Sequence, residues 1–462
     1  MCRGSIPPVT TTKNIELNSL TFKKVNNTIQ MINKIKTKLH NSPLIKRVAS
    51  GAFWSIFGTA SAKGIVLISG IICANILGKV GYGELGIVRS TINLFIVFGT
   101  AGLGITTTKF IAQYRQRDTA KVESVIGITT LFSLILAILI TSLVFIFAGY
   151  IATDTLNNVA LTNSIRFGAL ILFATILNGV YAGINSGFEK FKYLAINTFI
   201  SSVIEAALIV AGAYYWGVNG AVVGFGIGIS SHVLLNYITA RKALGHIQGK
   251  ISFFKIKKAD LAILYKFSIP AAISSFLVAP AYWIVRTLLV RFSGFGELGI
   301  YEAAEQWRVI ILFLPSALSH IILPILSSYG DNKKDYKKAL KLNIMLNVGV
   351  AFTLAIIISC FSGLIMSTYG DGFDNSLPLI LLAFSTVFSS FASVVGVSIV
   401  SRGKMWTSLM FNFSWSCIFI LLTYIFLLLG WGAVGISSAL LLSYTIHSIN
   451  QSIYMHFILK KS

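Results

Sequence analysis

The sequence predicts an all-α polytopic membrane protein, with twelve transmembrane helices in two six-helix lobes related by a parallel internal repeat. Three observations predict this. The first is a motif that returns. Gly81-Tyr-Gly-Glu-Leu-Gly-Ile87 reappears as Gly294-Phe-Gly-Glu-Leu-Gly-Ile300, 213 positions later and identical at six of seven residues. Gly183 and Gly396 are also 213 apart, and Trp216-Gly217 and Trp431-Gly432 are 215 apart. One offset held along so much of the chain reads as a duplicated unit, an organisation common in carriers. The second observation is composition: 55% of residues are hydrophobic and 11% charged, about half the charge of a soluble chain. The third is that the basic residues behind the net charge of +23 are concentrated in alternate loops.

The elements follow in order. Residues 1–47 form a basic cytoplasmic N-terminal segment, partly disordered, without the apolar core of a signal peptide. Residues 1–30 read as disordered, and Met31 is an alternative start of the natural chain. Met31 to Arg47 can form a basic amphipathic helix on the inner leaflet. Twelve apolar runs then follow, at about 49–77, 84–107, 123–148, 164–186, 193–216, 218–240, 263–290, 299–327, 341–368, 377–401, 405–429 and 433–458. Each is long enough to span a bilayer. In hydrocarbon the backbone must satisfy its own hydrogen bonds, so each is a helix. The first lobe is 48–240, the basic cytoplasmic linker is 241–266, and 267–462 is the second lobe with a short cytoplasmic tail. Six spans per lobe keep both lobes in one orientation. Pro270, Pro280, Pro315 and Pro324 are expected to kink spans seven and eight. The first lobe has no proline in its spans, so its bends must use glycine.

The basic residues fix the orientation. Lys109, Arg115, Arg117 and Lys121, then Lys190 and Lys192, then Arg241, Lys242, Lys250, Lys255, Lys257, Lys258 and Lys266 all fall on one side. So do Lys333, Lys334, Lys337, Lys338, Lys341, Arg402, Lys404, Lys460 and Lys461, while the other side holds Lys79, Arg166 and Arg291. Basic loops mark the cytoplasmic face, so both termini are cytoplasmic. The positive charge is thus a topology signal near anionic lipid, not a nucleic-acid surface.

Enzymatic chemistry finds no support. The chain has no G-x-x-x-x-G-K-[ST] to bind ATP phosphates and no H-E-x-x-H. The longest external loop, about 149–163, has no room for a glycosyltransferase or ligase site. Asp371 and Asp374 are too few for calcium. Cys2, Cys73, Cys360 and Cys417 form no C-x-x-C pair, so no disulfide, metal site or cofactor is expected.

Charges inside spans are the remaining signal, because each costs roughly 2.5–3.5 kcal/mol at mid-depth without a partner or water. Lys63 and Arg308 lie deep. Arg89 and Arg286 lie nearer the outer face, where they could instead snorkel as interface anchors. All four fall on the first two spans of a lobe. They are not equivalent in the repeat: Arg89 matches Glu302, and Arg308 matches Phe95. Glu302, Glu305 and Arg308 share one helix face, so Glu305 can pair with Arg308. Asn197, Ser201 and Glu205 make one polar stripe and Ser55, Thr59 and Lys63 another. Each could line water or a neighbouring helix. His232, His320 and His447 read as packing residues.

Leu44-Ile-Lys-Arg-Val-Ala-Ser-Gly-Ala-Phe-Trp-Ser-Ile-Phe-Gly58, Ile76-Leu-Gly-Lys-Val-Gly-Tyr-Gly-Glu-Leu-Gly-Ile87 and Gly102-Leu-Gly104 resemble the opening of polysaccharide biosynthesis flippases. These are the Wzx-type members of the multidrug/oligosaccharidyl-lipid/polysaccharide exporter superfamily. The resemblance covers residues 44–459. It implies a cell-membrane flippase that moves polyprenyl-pyrophosphate-linked oligosaccharide by alternating access between two lobes, with no enzymatic step. It implies Lys63, Arg89, Arg286 and Arg308 as the substrate-binding cations, and Glu205, Glu302 and Glu305 as gating or coupling groups. Membrane lipids, glycosyltransferases and a polysaccharide polymerase are the implied partners of a monomer, with no nucleic acid. Two other readings compete. A cation-coupled multidrug exporter would want an acidic cavity, against four intramembrane cations. A membrane glycosyltransferase or polymer ligase is opposed by the short external loops and the repeat.

Overall fold

The computed structural model describes residues 43–100, 102–245, 278–328, 333–401 and 404–461. These residues are helical, without a strand. The helices are α1 (Pro43–Thr100), α2 (Leu103–Tyr114), α3 (Thr119–Tyr150), α4 (Leu161–Gly187), α5 (Phe191–Leu244), α6 (Val278–Ser328), α7 (Lys333–Cys360), α8 (Ser362–Ser367), α9 (Leu377–Ser401), α10 (Met405–Leu428) and α11 (Gly432–Lys461). One π turn, Ile151–Thr155, prolongs α3. Eight helical stretches among the described residues are long and apolar enough to cross a bilayer. The chain is a multi-pass membrane protein. The expected amphipathic segment up to residue 42, most of the linker and the start of span seven lie outside the described residues. By compactness the chain divides into Met1–Ser55 and Ile56–Ser462. The first unit holds the opening turns of α1, where Phe53 and Trp54 meet edge to face.

The outward faces are those of a protein solvated by lipid. On α3 Ile135, Ile138, Leu139 and Ile146 are all exposed, an arrangement that water would penalise. Hydroxyls within the helices return to their own backbone. Thr91 donates to the Ile87 carbonyl at 2.8 Å, Thr107 to Leu103 at 2.7 Å and Thr129 to Val125 at 2.8 Å. No polar group is thereby presented to hydrocarbon at those sites. At its water-facing start α3 is capped by Asp118, which accepts from the Lys121 amide at 3.0 Å.

Three long helices break at glycine. α1 leaves helical geometry at Gly78 (φ 66°), α5 at Trp216-Gly217 (φ 58° at the glycine) and α6 at Gly294 (φ 85°). These left-handed angles cost an L-residue its Cβ clearance, which glycine avoids. In α6 the backbone angles leave the helical range at Gly294 and stay helical at Pro280 and Pro315, while Pro270 lies outside the described residues. The predicted second span, 84–107, is also interrupted, because Gly102 takes φ 68° between α1 and α2.

Left-handed residues recur at nearly the interval of the sequence repeat. Asn157 (φ 52°) and Gly370 (φ 98°) are 213 apart. Gly217 (φ 58°) and Gly432 (φ 50°) are 215 apart, and the breaks at Gly78 and Gly294 are 216 apart. The bend in the first copy of the motif therefore falls three residues ahead of its sequence equivalent, Gly81.

Packing forms two sets of neighbours. In one, α4 lies against α2, α3 and α5; in the other, α6, α7, α9, α10 and α11 contact one another. α1 and α6 meet where the repeated motifs touch. A Cβ on Gly83 would collide with the Phe295 carbonyl, and one on Gly299 with the Lys79 carbonyl. Backbone meets backbone there, a separation that only small residues allow. Trp283 Nε1 donates to Thr91 Oγ1 at 3.0 Å, and Asn75 Nδ2 donates to the Thr368 carbonyl at 2.7 Å, fastening the same region. Gly299→Val is expected to destabilise this contact by about 1–3 kcal/mol through overpacking. Thermal unfolding of the purified protein should show the drop, with a smaller one for Gly299→Ala.

Candidate functional site

α1 and α6, with Thr198 of α5, line an open cavity of about 1010 Å³. Both arms of each bent helix line it. α1 contributes Lys63 and Leu67 before Gly78, and Arg89 and Asn93 after it. α6 contributes Tyr282 and Arg286 before Gly294, and Glu302, Glu305 and Gln306 after it, while α5 adds Thr198. The bends explain this: a single straight helix would turn only one of its arms toward the space.

The second-half cations are neutralised within α6. Arg286 Nε lies 2.5 Å from Glu302 Oε1, across the break at Gly294. Its NH1 donates to the Tyr282 carbonyl at 3.3 Å, and its guanidinium lies 5.2 Å from the Tyr301 ring centroid. Arg308 grips Glu305 with two bonds, Nε to Oε2 at 2.6 Å and NH2 to Oε1 at 2.9 Å. Its NH2 also donates to Tyr282 Oη at 2.9 Å. This forked pair is the strong form of the interaction. Arg308 is 6% exposed and is not among the cavity-lining residues; Glu305 stands between it and the space. The expectation that Arg308 faces the cavity is therefore corrected, because the carboxylate one turn earlier holds it behind the wall.

The first-half cations differ. Among the described residues neither Lys63 nor Arg89 has a carboxylate within ion-pair distance. Arg89 rests its guanidinium 5.0 Å from the Phe225 ring centroid, and its Nε is buried without a hydrogen-bond partner. Glu205 packs its Cβ against Gly228 and is not part of the wall. Gly86 leaves room for the Glu302 side chain, since a Cβ there would press on its Cγ. Arg89 and Arg286 do not snorkel to a surface: both line the cavity.

The residue that sequence reasoning missed is Tyr282. Its carbonyl meets Arg286 and its hydroxyl meets Arg308, and its ring lies 5.7 Å from Trp415 and 5.6 Å from Phe419. The four-residue spacing of Tyr282 and Arg286 was the available signal. Among the described residues no group of His, Cys, Asp and Glu could hold a metal ion.

Residues 48–330 match the family model described as polysaccharide biosynthesis protein. The chain is 23% identical over 194 residues to the EPS I polysaccharide export inner membrane protein EpsE of Ralstonia nicotianae, covering 40% of this chain and 44% of that protein. The chain thus spans less than half the length of that relative. It is 23% identical over 315 residues to the lipid III flippase of Escherichia coli, covering 66% and 74% of the two chains. Its fold is similar to that of an inward-facing multidrug resistance MATE family transporter of the MOP superfamily, with a TM-score of 0.71, 16% identity and coverage of 86% and 94%. The chain belongs to the polysaccharide biosynthesis protein family.

Proposed function

We propose that the protein is a flippase that carries polyprenyl-pyrophosphate-linked oligosaccharide across the cytoplasmic membrane by alternating access, for surface polysaccharide biosynthesis. It is a transporter and not an enzyme. The observation that carries the reading is the cavity between α1 and α6 with Lys63 and Arg89 on its wall, unpaired with any described carboxylate. A cation inside a bilayer that lacks a protein partner needs water or an anion. A pyrophosphate diester supplies the anion, and Lys and Arg are its natural binders. The sugar occupies the wet space, and the lipid tail stays in the bilayer. The lipid III flippase relative supports the same cargo class. A cavity for cationic drugs would carry the opposite charge.

The finer architecture belongs to this reading. Twelve spans in two lobes, 48–240 and 267–462, accord with the breaks at Gly78, Trp216-Gly217 and Gly294, the recurring left-handed residues and the two sets of packed helices. The basic loops put both termini in the cytoplasm, where glycosyltransferases make the cargo. The chain works as a monomer, handing its product to a polymerase outside.

The two α6 ion pairs divide the labour. Arg308–Glu305 is buried and holds the wall. Arg286–Glu302 is on the wall, so a cargo phosphate competes with Glu302 for Arg286. Glu302 returns when cargo leaves, which resets the carrier.

Lys63→Ala and Arg89→Ala are expected to lose about tenfold or more in flipping of lipid-linked oligosaccharide in proteoliposomes, at normal protein level. Unchanged flipping in both would end the assignment. Arg308→Ala should fail differently, because stripping one partner from a buried pair costs about 3–5 kcal/mol. Its membrane level should fall, which immunoblotting against Lys63→Ala would reveal. Glu302→Gln should bind the lipid-linked sugar more tightly and turn over more slowly. Equal losses of binding and turnover would refute the reset while leaving the transporter reading intact.

A further inference from the structure

The packing between α4 and the two arms of α5 holds a chain of side-chain hydrogen bonds that ends on a histidine. Its direction follows from which atoms can donate. Thr239 Oγ1 donates to the Leu235 carbonyl at 2.9 Å, so toward Asn197 it accepts, and Asn197 Nδ2 donates to it at 3.0 Å. The same Asn197 Nδ2 donates to Asn236 Oδ1 at 2.9 Å. Asn236 is thereby oriented, and its Nδ2 donates to Asn178 Oδ1 at 2.9 Å. Asn178 then presents its Nδ2 to His232 Nδ1 at 3.4 Å. On the other side of the ring, His232 Nε2 lies 3.4 Å from Thr198 Oγ1. That hydroxyl is committed to the Leu194 carbonyl at 2.8 Å, so it accepts from Nε2. Every assignment agrees with a neutral imidazole protonated on Nε2.

A second arrangement is open to the same groups. A proton on Nδ1 would face the Asn178 amide donor, which cannot accept it. Turning the Asn178 amide makes its Oδ1 the acceptor and sends its Nδ2 to Asn236 Oδ1. Asn236 then donates to Asn197 Oδ1, and Thr239 can turn its hydroxyl to that oxygen as well. The chain then runs in the opposite direction, and Asn197 Nδ2 gives up its bonds to Asn236 Oδ1 and Thr239 Oγ1 as that amide turns. Asn185 Nδ2, donating to the Asn236 carbonyl at 2.9 Å, pins the two helices in either arrangement. Thr198 lines the cavity, so a proton from cavity water has a short route to the ring.

The second half of the chain makes the contrast. His447 lies 215 positions after His232, and Gln451 lies 215 after Asn236. There the amide turns back on its own histidine, with Gln451 Nε2 2.9 Å from His447 Nε2. The ring packs against Phe411 and Tyr444, and neither of these nor Gln451 lines the cavity as Thr198 does beside His232.

We propose that His232 is a proton-binding site one hydrogen bond behind the cavity-lining Thr198, and that its protonation reverses the Asn178–Asn236–Asn197 chain and so biases the transport cycle. The bias on transport rests on the flippase reading; the switch itself does not. The ionisable groups on the surrounding elements are Glu205 on α5, packed on Gly228 one turn before His232, Tyr181 on α4, and Lys63 and Arg89 on α1. Histidine is the side chain whose ordinary titration falls near neutral pH.

The test follows the motif contact in the full-length protein in nanodiscs. Spin labels are placed at Val80→Cys and Phe292→Cys, with the native cysteines replaced, and distances are measured by pulsed electron paramagnetic resonance. Between about pH 8 and about pH 5.5 the ratio of the two distance populations should change about fivefold or more. His447→Gln should keep that response and His232→Gln should lose it. Asn178→Leu, which keeps the imidazole but removes the amide that must turn, should lose it too. A response that survives His232→Gln, or that disappears only in Glu205→Gln, would overturn the proposal. Flipping of lipid-linked oligosaccharide is measured in parallel at fixed pH. Absent flipping with an intact pH response sinks the transport reading alone, and flipping with no pH response sinks the switch alone.

Discussion

A charged side chain on a membrane-spanning helix must find a counter-ion or water, because hydrocarbon offers neither. That constraint decides the architecture around the cavity. α6 meets it internally: Glu305 takes Arg308 and Glu302 takes Arg286, with Tyr282 supplying a carbonyl to one guanidinium and a hydroxyl to the other. α1 forms no such ion pair, and Lys63 and Arg89 line the cavity instead. The two helices are therefore complementary. One supplies a wall with its charges in ion pairs, and the other supplies cations without a described carboxylate at ion-pair distance.

Glycine makes that arrangement possible. Left-handed breaks at Gly78 and Gly294 let both arms of α1 and α6 face one volume. At Gly83 and Gly299 the helices close to backbone contact, and at Gly86 α1 makes room for the Glu302 side chain that pairs with Arg286. The contact thus joins close backbone packing to one member of an ion pair. The halves differ inside. The first has a string of amides ending on His232, and the second has an aromatic column running from Tyr282 through Trp415 to Tyr444. Amides can exchange bonding partners by turning, whereas interlocked rings resist rearrangement.

The helical, multi-pass character of the chain was legible in the sequence, because hydrophobic length responds directly to the bilayer. The glycine bends of the first half followed from its lack of proline. In α6 the sharpest departure from helical geometry is at Gly294, one residue of the repeated motif, and not at a proline. Around the cavity, the pairing of Glu305 with Arg308 was readable from spacing along one helix. What spacing could not say is that the pairing hides Arg308 behind Glu305, or that Arg286 reaches Glu302 across a break. Those depend on three-dimensional bends. The histidines looked isolated because the repeat was traced through glycine and tryptophan. The offset of 215 also joins His232 to His447, and only their different partners separate their roles.

Direct binding tests the central claim most closely. Native mass spectrometry of the purified protein can compare a polyprenyl-pyrophosphate-linked oligosaccharide with the same sugar on an uncharged lipid. The account predicts preferential retention of the pyrophosphate form. It also predicts that this preference falls about tenfold or more when Lys63 and Arg89 are both replaced by alanine. Equal retention of the two lipids, or a preference untouched by the double substitution, would contradict it.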